Sequence, residues 1–286
     1  FRSFMKTEFK SNEAGKGGGA VQIRNSTGNM TFMNSEFQSN KASGDSGAIE
    51  IWNSTGNMTF TNSEFRSNKA GRDGGAVMLY EASGYMTFTK TEFQSNEAVN
   101  GGAVAIWQSS GNMTFQDSQF QSNQAETAGA IVIFLTTGNM TFSDSVFILN
   151  NASTVSGAVQ ISETKGSVRF LVSNFSRNAA VYGGGAISGA MIGRMSLVNC
   201  TIEENQSGSE GGGLSVSNSD VLEITDCRIV RNNARSGAGV STRNVRRLFA
   251  TEAKFVGNNA MTGGSIYTSE TDVEVRSCNS KNNVAE

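Results

Sequence analysis

The sequence predicts an all-β fold, a parallel β-helix (solenoid) of about ten coils, each made of three short strands and about 27 residues. Three observations predict it. A Phe-x-x-Asn element recurs at Phe9, Phe37, Phe65, Phe93, Phe120, Phe147, Phe175, Ile202, Ile229 and Phe255, in steps of 28, 28, 28, 27, 27, 28, 27, 27 and 26 residues. A Gly-Ala-Val/Ile element alternates with it, for instance at Gly19-Ala20-Val21, Gly47-Ala48-Ile49, Gly75-Ala76-Val77 and Gly185-Ala186-Ile187. Between them the apolar residues follow a period of two, no stretch has a helical period, and the 286 residues include no Pro. Proline would break the inter-coil ladders on which such a fold depends.

Each coil reads in the same order. The first strand is Ala-Val-x-Ile, with Ile49 and Ile51 on one face. The second is Asn-Met-Thr-Phe, with Met58 and Phe60 inward and Thr59 outward. The third is Ser-x-Phe-x-x-Asn, with Ser63 and Phe65 inward and Glu64 outward. The link between the first two ends in a glycine at Gly28, Gly56, Gly84, Gly111, Gly138 and Gly166, a spacing that predicts positive φ there. No triplet this short buries itself. Stacked coils turn each position into a column and build one continuous core, and at about 4.8 Å per coil ten coils form a rod roughly 48 Å long.

Composition removes several function classes. With no His there is no imidazole base, Ser-His or Cys-His nucleophile system, or His metal ligand, and three Cys make neither a zinc site nor a disulfide framework. A formal net charge of −2 with 17% charged residues gives no footprint for nucleic acid. No apolar run is long enough to span a bilayer, so no membrane insertion and no cofactor are expected.

The Asn of Phe-x-x-Asn forms a column of its own: Asn12, Asn40, Asn68, Asn96, Asn123, Asn150, Asn178, Asn205, Asn232, Asn258 and Asn283. A carboxamide at a buried corner donates to one neighbouring coil and accepts from the other, so this column is read as architecture. The pairing of Gly-Gly-Ala-Ile/Val with Phe-x-x-Asn over essentially the whole chain resembles the repeats of the polymorphic outer membrane proteins of chlamydiae. That resemblance implies a right-handed β-helix displayed outside the cell for adhesion or surface architecture. The chain shows no signal peptide and no C-terminal barrel of its own, and its first six coils are unusually regular.

Functional candidates are columns on outer faces. Trp52, Tyr80, Trp107 and Phe134 follow Arg24 in one outward column, with Met78, Ala105 and Val132 facing out two positions away. An exposed apolar strip of this kind marks a partner surface, and flat aromatic rows suit sugar faces; the bland alternative is that the rings shield the coil edge. Glu8, Glu36, Glu64 and Glu92 form an outward carboxylate column, read as a solvated charge ladder offset by Lys6, Lys10, Arg66 and Lys90 rather than a cation-binding edge. Asp117 and Asp144 share a column, but Lys90 and Val172 beside them leave no acid cluster for a polysaccharide lyase or hydrolase. Cys200, Cys227 and Cys278 occupy the inward column of Ser35 and Ser63 and read as reduced, small buried residues. The outward Thr column from Thr31 to Thr141 lacks the matching second column an ice-binding face would need. Asn29, Asn57, Asn112 and Asn139 open N-x-S/T sequons along one edge and are the expected glycan acceptors in a secretory-pathway source.

The chain starts within a second strand and stops just after a third, without amphipathic or charged caps. The expectation is a single solenoid, residues 1–286, forming a segment of a longer protein or stacking end to end into a fibre. The functional expectation is a non-enzymatic extracellular or cell-surface rod that contacts other protein chains or surface glycans.

Overall fold

The computed structural model describes residues 2–285, and every pairing between its strands is parallel, coil upon coil. The third strands make an eleven-stranded sheet, so the solenoid has about eleven turns. First and second strands form a seventeen-stranded sheet, and a short further strand after most ladder Asn residues, such as Lys41–Ala42 or Gln124–Thr127, makes smaller sheets of three, four and two. Two-residue strands of this kind are too short to leave a periodic signal. No helix occurs among the described residues.

Like residues lie over like because consecutive coils are in register: Phe37 pairs with Phe65 and Phe65 with Phe93, with ring centroids 4.7 and 4.9 Å apart. Two such columns of stacked rings run through the core. One comes from the second strands (Phe32, Phe60, Phe88), the other from the third, and within a coil they meet edge to face, as at Phe60 and Phe65, 6.1 Å apart. The strand spacing dictates the face-on distance, and the second column supplies the edge contacts that aromatic quadrupoles favour.

The corners differ from expectation. None of Gly28, Gly56, Gly84, Gly111, Gly138 and Gly166 has positive φ. A Cβ at Gly56, Gly84, Gly111, Gly138 or Gly166 would instead run into the carbonyl oxygen of the glycine one coil earlier, so close approach between coils is what requires glycine. Left-handed residues sit at other corners: Asn25, Asn53 and Gln108 after the first strand, Asn34, Asn62 and Lys90 after the second, and Ser39, Ser67 and Ser95 before the ladder Asn. Short polar side chains tolerate that region best, which accounts for much of the Asn and Ser content.

Candidate functional site

The Asn column is a continuous hydrogen-bonded ladder. The Asn96 Nδ2 donates to Asn123 Oδ1 and to the Phe65 carbonyl, both at 3.0 Å, and the Asn96 backbone N–H donates to the same Asn123 oxygen. The pattern repeats from Asn12 to Asn283 with the intermediate members buried. Its donors and acceptors are spent on neighbouring coils, leaving none for an external ligand.

The outward aromatic column stands on coils two to five. Trp52, Tyr80, Trp107 and Phe134 are each half-buried at the ends of first strands and paired in register. Trp52 stacks on Tyr80 at 4.2 Å and 24°, and the Arg24 guanidinium lies 5.5 Å from the Trp52 centroid on the preceding coil. Both faces of the indole are therefore occupied within the column, and its edge meets solvent. This corrects the expectation of flat rings open to sugar faces. Trp107 and Phe134 meet edge to face at 5.4 Å, and the Tyr80 hydroxyl donates to Gln108 Oε1 at 2.7 Å.

Met78, Ala105 and Val132 are buried rather than exposed. They point away from the main core but form a second small apolar cluster with Ala128, against which Tyr80 and Trp107 pack. The loop that leads into each Gly-Ala element folds back over them. At Gly74 a side chain would press on the Met78 Cβ, and at Gly101 on Val132. The exposed apolar strip is thus narrower than alternation alone predicts, reduced to the ring edges.

Beside Trp52 the column pattern breaks. Glu50, which occupies the position of Met78, is only 2% exposed; it accepts from Gln22 Nε2 and from Arg24 Nη2, the latter at 3.4 Å. Asp45 is buried and takes a two-pronged contact from Arg72, at 2.9 Å from Nε and 2.6 Å from Nη2. Asp73, one coil along from Asp45, accepts from Asn100 Nδ2 at 2.7 Å, and burial raises its carboxyl above the ordinary value. Lys16, Arg24, Asp45, Glu50, Trp52 and Arg72 line one surface groove of about 340 Å³. No sequence reading marked this cluster; its signal is Arg24 and Glu50 standing in columns that are aromatic and apolar in the coils that follow.

The remaining candidates are dispersed. Lys10 bridges Glu8 and Glu36 at 3.1 Å each, and Arg66 bridges Glu64 and Glu92, so cations interleave the carboxylate column. Asp117 and Asp144 are exposed left-handed corner residues. Among the described residues no three Asp, Glu, Cys or His side chains converge as a metal site would need, and no helix is long and apolar enough to cross a membrane. Cys200, Cys227 and Cys278 are free thiols. The Cys200 N–H donates to the Cys227 sulfur at 3.4 Å, the same place the Ser35 N–H finds the Ser63 hydroxyl at 3.2 Å, and the contact with Cys200 together with burial pushes the Cys227 thiol up. Asn29, Asn57, Asn112 and Asn139 are exposed. Each carboxamide oxygen accepts a backbone N–H of the next coil, as from Asn57 to Asn29 at 3.0 Å and Ser167 to Asn139 at 2.9 Å, bonds that do not use the Nδ2 a glycan would occupy.

Residues 2–175 match the protein family described as Right handed beta helix region. No curated protein and no solved structure shows a match to the chain.

Proposed function

The chain belongs to the family of right-handed β-helix regions, and from that premise we propose that it is a non-enzymatic, surface-displayed rod that engages protein partners or glycans through its outer faces. The observation that carries this reading is the row of half-exposed aromatic edges, Trp52, Tyr80, Trp107 and Phe134, paired in register along four successive coils. Aromatic side chains offer large contact area for little lost side-chain freedom, which is why they dominate recognition surfaces. The surface carboxylates support the same reading: Glu36, Glu92 and Glu204, among others, are engaged by lysine or arginine along the rod rather than gathered over a cleft. Display outside the cell, and a relationship to the polymorphic outer membrane protein repeats, are supported by the paired Gly-Gly-Ala and Phe-x-x-Asn elements. The exposed sequon edge supports the same location in a secretory-pathway source.

Attachment of fluorescently labelled protein to cell surfaces tests the reading. Trp52→Ser combined with Trp107→Ser is expected to abolish attachment while the far-ultraviolet circular dichroism stays β-type and unchanged; full attachment by the double variant would sink the aromatic row. Incubation with acidic and neutral polysaccharides, with and without calcium, is expected to yield no new reducing ends and no unsaturated products. Product formation would transfer the chain to the alternative, a carbohydrate-active β-helix enzyme.

A further inference from the structure

In a solenoid of uniform columns, a residue that departs from its column has been placed against the repeat's own preference. Two such departures, Arg24 and Glu50, meet at the groove beside Trp52, and Asp45 and Arg72 join them there. Arg24 stands where the next coils carry Trp52 and Tyr80, and Glu50 where they carry Met78 and Ala105. Asp45 keeps the acidic character of its column, which continues to Asp73, and Arg72 stands in a mixed column with Gly44 and Val99. The four residues form two ion pairs, each a sunken carboxylate and an exposed arginine. In each, the carboxylate is sunk into the wall, Glu50 at 2% and Asp45 at 10% side-chain exposure, while its arginine stays 52% and 68% exposed. Gly17 makes the sinking possible, because a side chain there would overlap the Glu50 carboxylate.

A charge pair built only for stability would gain little from this layout, since burying a carboxylate costs more than leaving it at the surface. What the layout achieves is orientation. Asp45 holds one edge of the Arg72 guanidinium through Nε and Nη2, and Glu50 takes a single contact from Arg24 Nη2 at 3.4 Å. Arginine carries five N–H donors in a rigid fork, so donors remain on the far side of each head, turned to the groove. Lys16 adds a third cation, and the Trp52 edge forms an apolar wall.

We infer that this groove binds the oxyanion group of an acidic glycan, a sulfate or a carboxylate, with the sugar against the Trp52 edge and the anion between the heads of Arg24 and Arg72. Charge-assisted bonds from pre-oriented guanidinium groups to planar or tetrahedral oxyanions are short and geometrically specific, and their partners behind the wall keep the forks from swinging away. The inference rests on the outer aromatic column being a contact surface and names the chemistry of one part of it.

The test is calorimetric titration of the whole chain, at low salt, with a sulfated disaccharide, a uronic acid disaccharide, a neutral disaccharide and inorganic sulfate. The two tryptophan indole N–H resonances are followed in parallel. One or both acidic disaccharides are expected to bind and to shift the Trp52 resonance while that of Trp107 stays; the tighter of the two identifies the anion. The neutral sugar is expected not to bind. Arg24→Gln with Glu50→Gln, and Arg72→Gln with Asp45→Asn, remove both charges of a pair and leave no buried charge unpaired. Each double variant is expected to melt like the parent and to raise the dissociation constant roughly tenfold or more, the loss of one or two charge-assisted bonds. Silence toward both acidic sugars overturns the inference, as does undiminished binding by both double variants. Inorganic sulfate binding as tightly as the sugars overturns it too, because Trp52 would then contribute nothing. Cell attachment lost in Trp52→Ser, Trp107→Ser but kept in both charge-neutral variants would sink this groove while leaving the broader contact surface in place.

Discussion

The coils up to Phe175 and those after it solve the same geometric problem with different residues. In the first group the core is two columns of stacked phenylalanines, and the inward third-strand position is Ser or Thr. After Phe175 those places pass to Leu197, Ile202, Ile224, Ile229 and Cys200. The links change as well. Five residues, Asn53 to Asn57, join first and second strands early on, but only four, Met191 to Arg194, do so later, and the two strands run together as Ile187–Val198, Leu214–Thr225 and Val240–Thr251. A single left-handed residue (Met191, Asn218, Asn244) turns the corner inside the ladder, as Glu163 does in Val159–Leu171, where the link still has five residues. The family match stops at 175, where the phenylalanine stack stops. The Asn ladder does not stop; it continues to Asn283. The difference separates two jobs: the ladder holds register throughout, with the link glycines added only as far as Gly166, while the aromatic stack fills volume and is replaceable.

The harshest way to break that separation is to cut the ladder in both regions. Asn123→Ala and Asn232→Ala each remove a buried carboxamide and strand the backbone groups it served, a loss of about 3–5 kcal/mol at the affected coils. Native-state hydrogen exchange of the adjacent ladder amides reads this locally, which suits a rod whose coils contact only their neighbours. Similar losses in the two regions are expected; a loss at Asn232 less than half that at Asn123 would show that register is held differently after Phe175. Volume filling has a milder test. Phe120→Leu gives up stacking on both Phe93 and Phe147 and is expected to cost about 1–2 kcal/mol, whereas Phe175→Leu gives up one stacked neighbour and should cost roughly half as much. Equal costs would mean that stacking adds nothing to apolar burial.

Much of this architecture was legible because periodicity itself is a coordinate system. Once Phe37, Phe65 and Phe93 are aligned, the parallel pairing, the inward faces and the Asn column follow without any knowledge of side-chain packing. What escaped depends on contacts between columns. Gly84 and Gly111 look like turn glycines in one dimension, and only the coil below reveals the carbonyl that excludes a Cβ. Met78 and Val132 face out by alternation, yet a loop from the same coil covers them. Glu50 is a single departure in a chain full of small variations and Arg72 stands in a mixed column, and nothing in sequence spacing says that they share a groove. The left-handed corners at Asn34 and Asn62 were readable in principle, as a fixed position that favours Asn, Asp or Lys.

The later coils also carry an unpaired hydroxyl in an inward column that is aliphatic in the regular ones. The inward column of Ile51, Leu79, Ile106, Ile133 and Ile161 continues to Thr242, whose buried hydroxyl has no hydrogen-bond partner. Thr242→Val keeps the shape and removes the unpaired group, so stability of the coils around it should rise by about 1–2 kcal/mol. A fall instead would mean that the hydroxyl finds water and that the later core is wetter than the early one.

The smallest effect distinguishes the regions by the sign of their response to pH. Asp73, in the regular coils, has its carboxyl raised above 3.8 chiefly by burial, against the lowering hydrogen bond from Asn100. Its protonated form is favoured by folding, so its contribution is most favourable below 3.8 and is lost as pH rises through the folded value. Glu204, in the later coils, is held below 4.5 by hydrogen bonds from Arg177 at 2.8 Å and Arg231 at 2.6 Å. Its contribution is present above 4.5 and is lost as pH falls through the folded value. From about pH 3 to 6, then, local stability around Asp73 should decline with rising pH while that around Glu204 increases. Hydrogen exchange corrected for intrinsic rates separates the two sites, and Asp73→Asn and Glu204→Gln should each flatten only its own slope. Because Glu204 is open to solvent, added salt should shrink its slope while leaving that of Asp73, which burial produces, largely intact. Slopes of the same sign, or equal salt sensitivity at both sites, would overturn the assignment of burial to one region and surface pairing to the other.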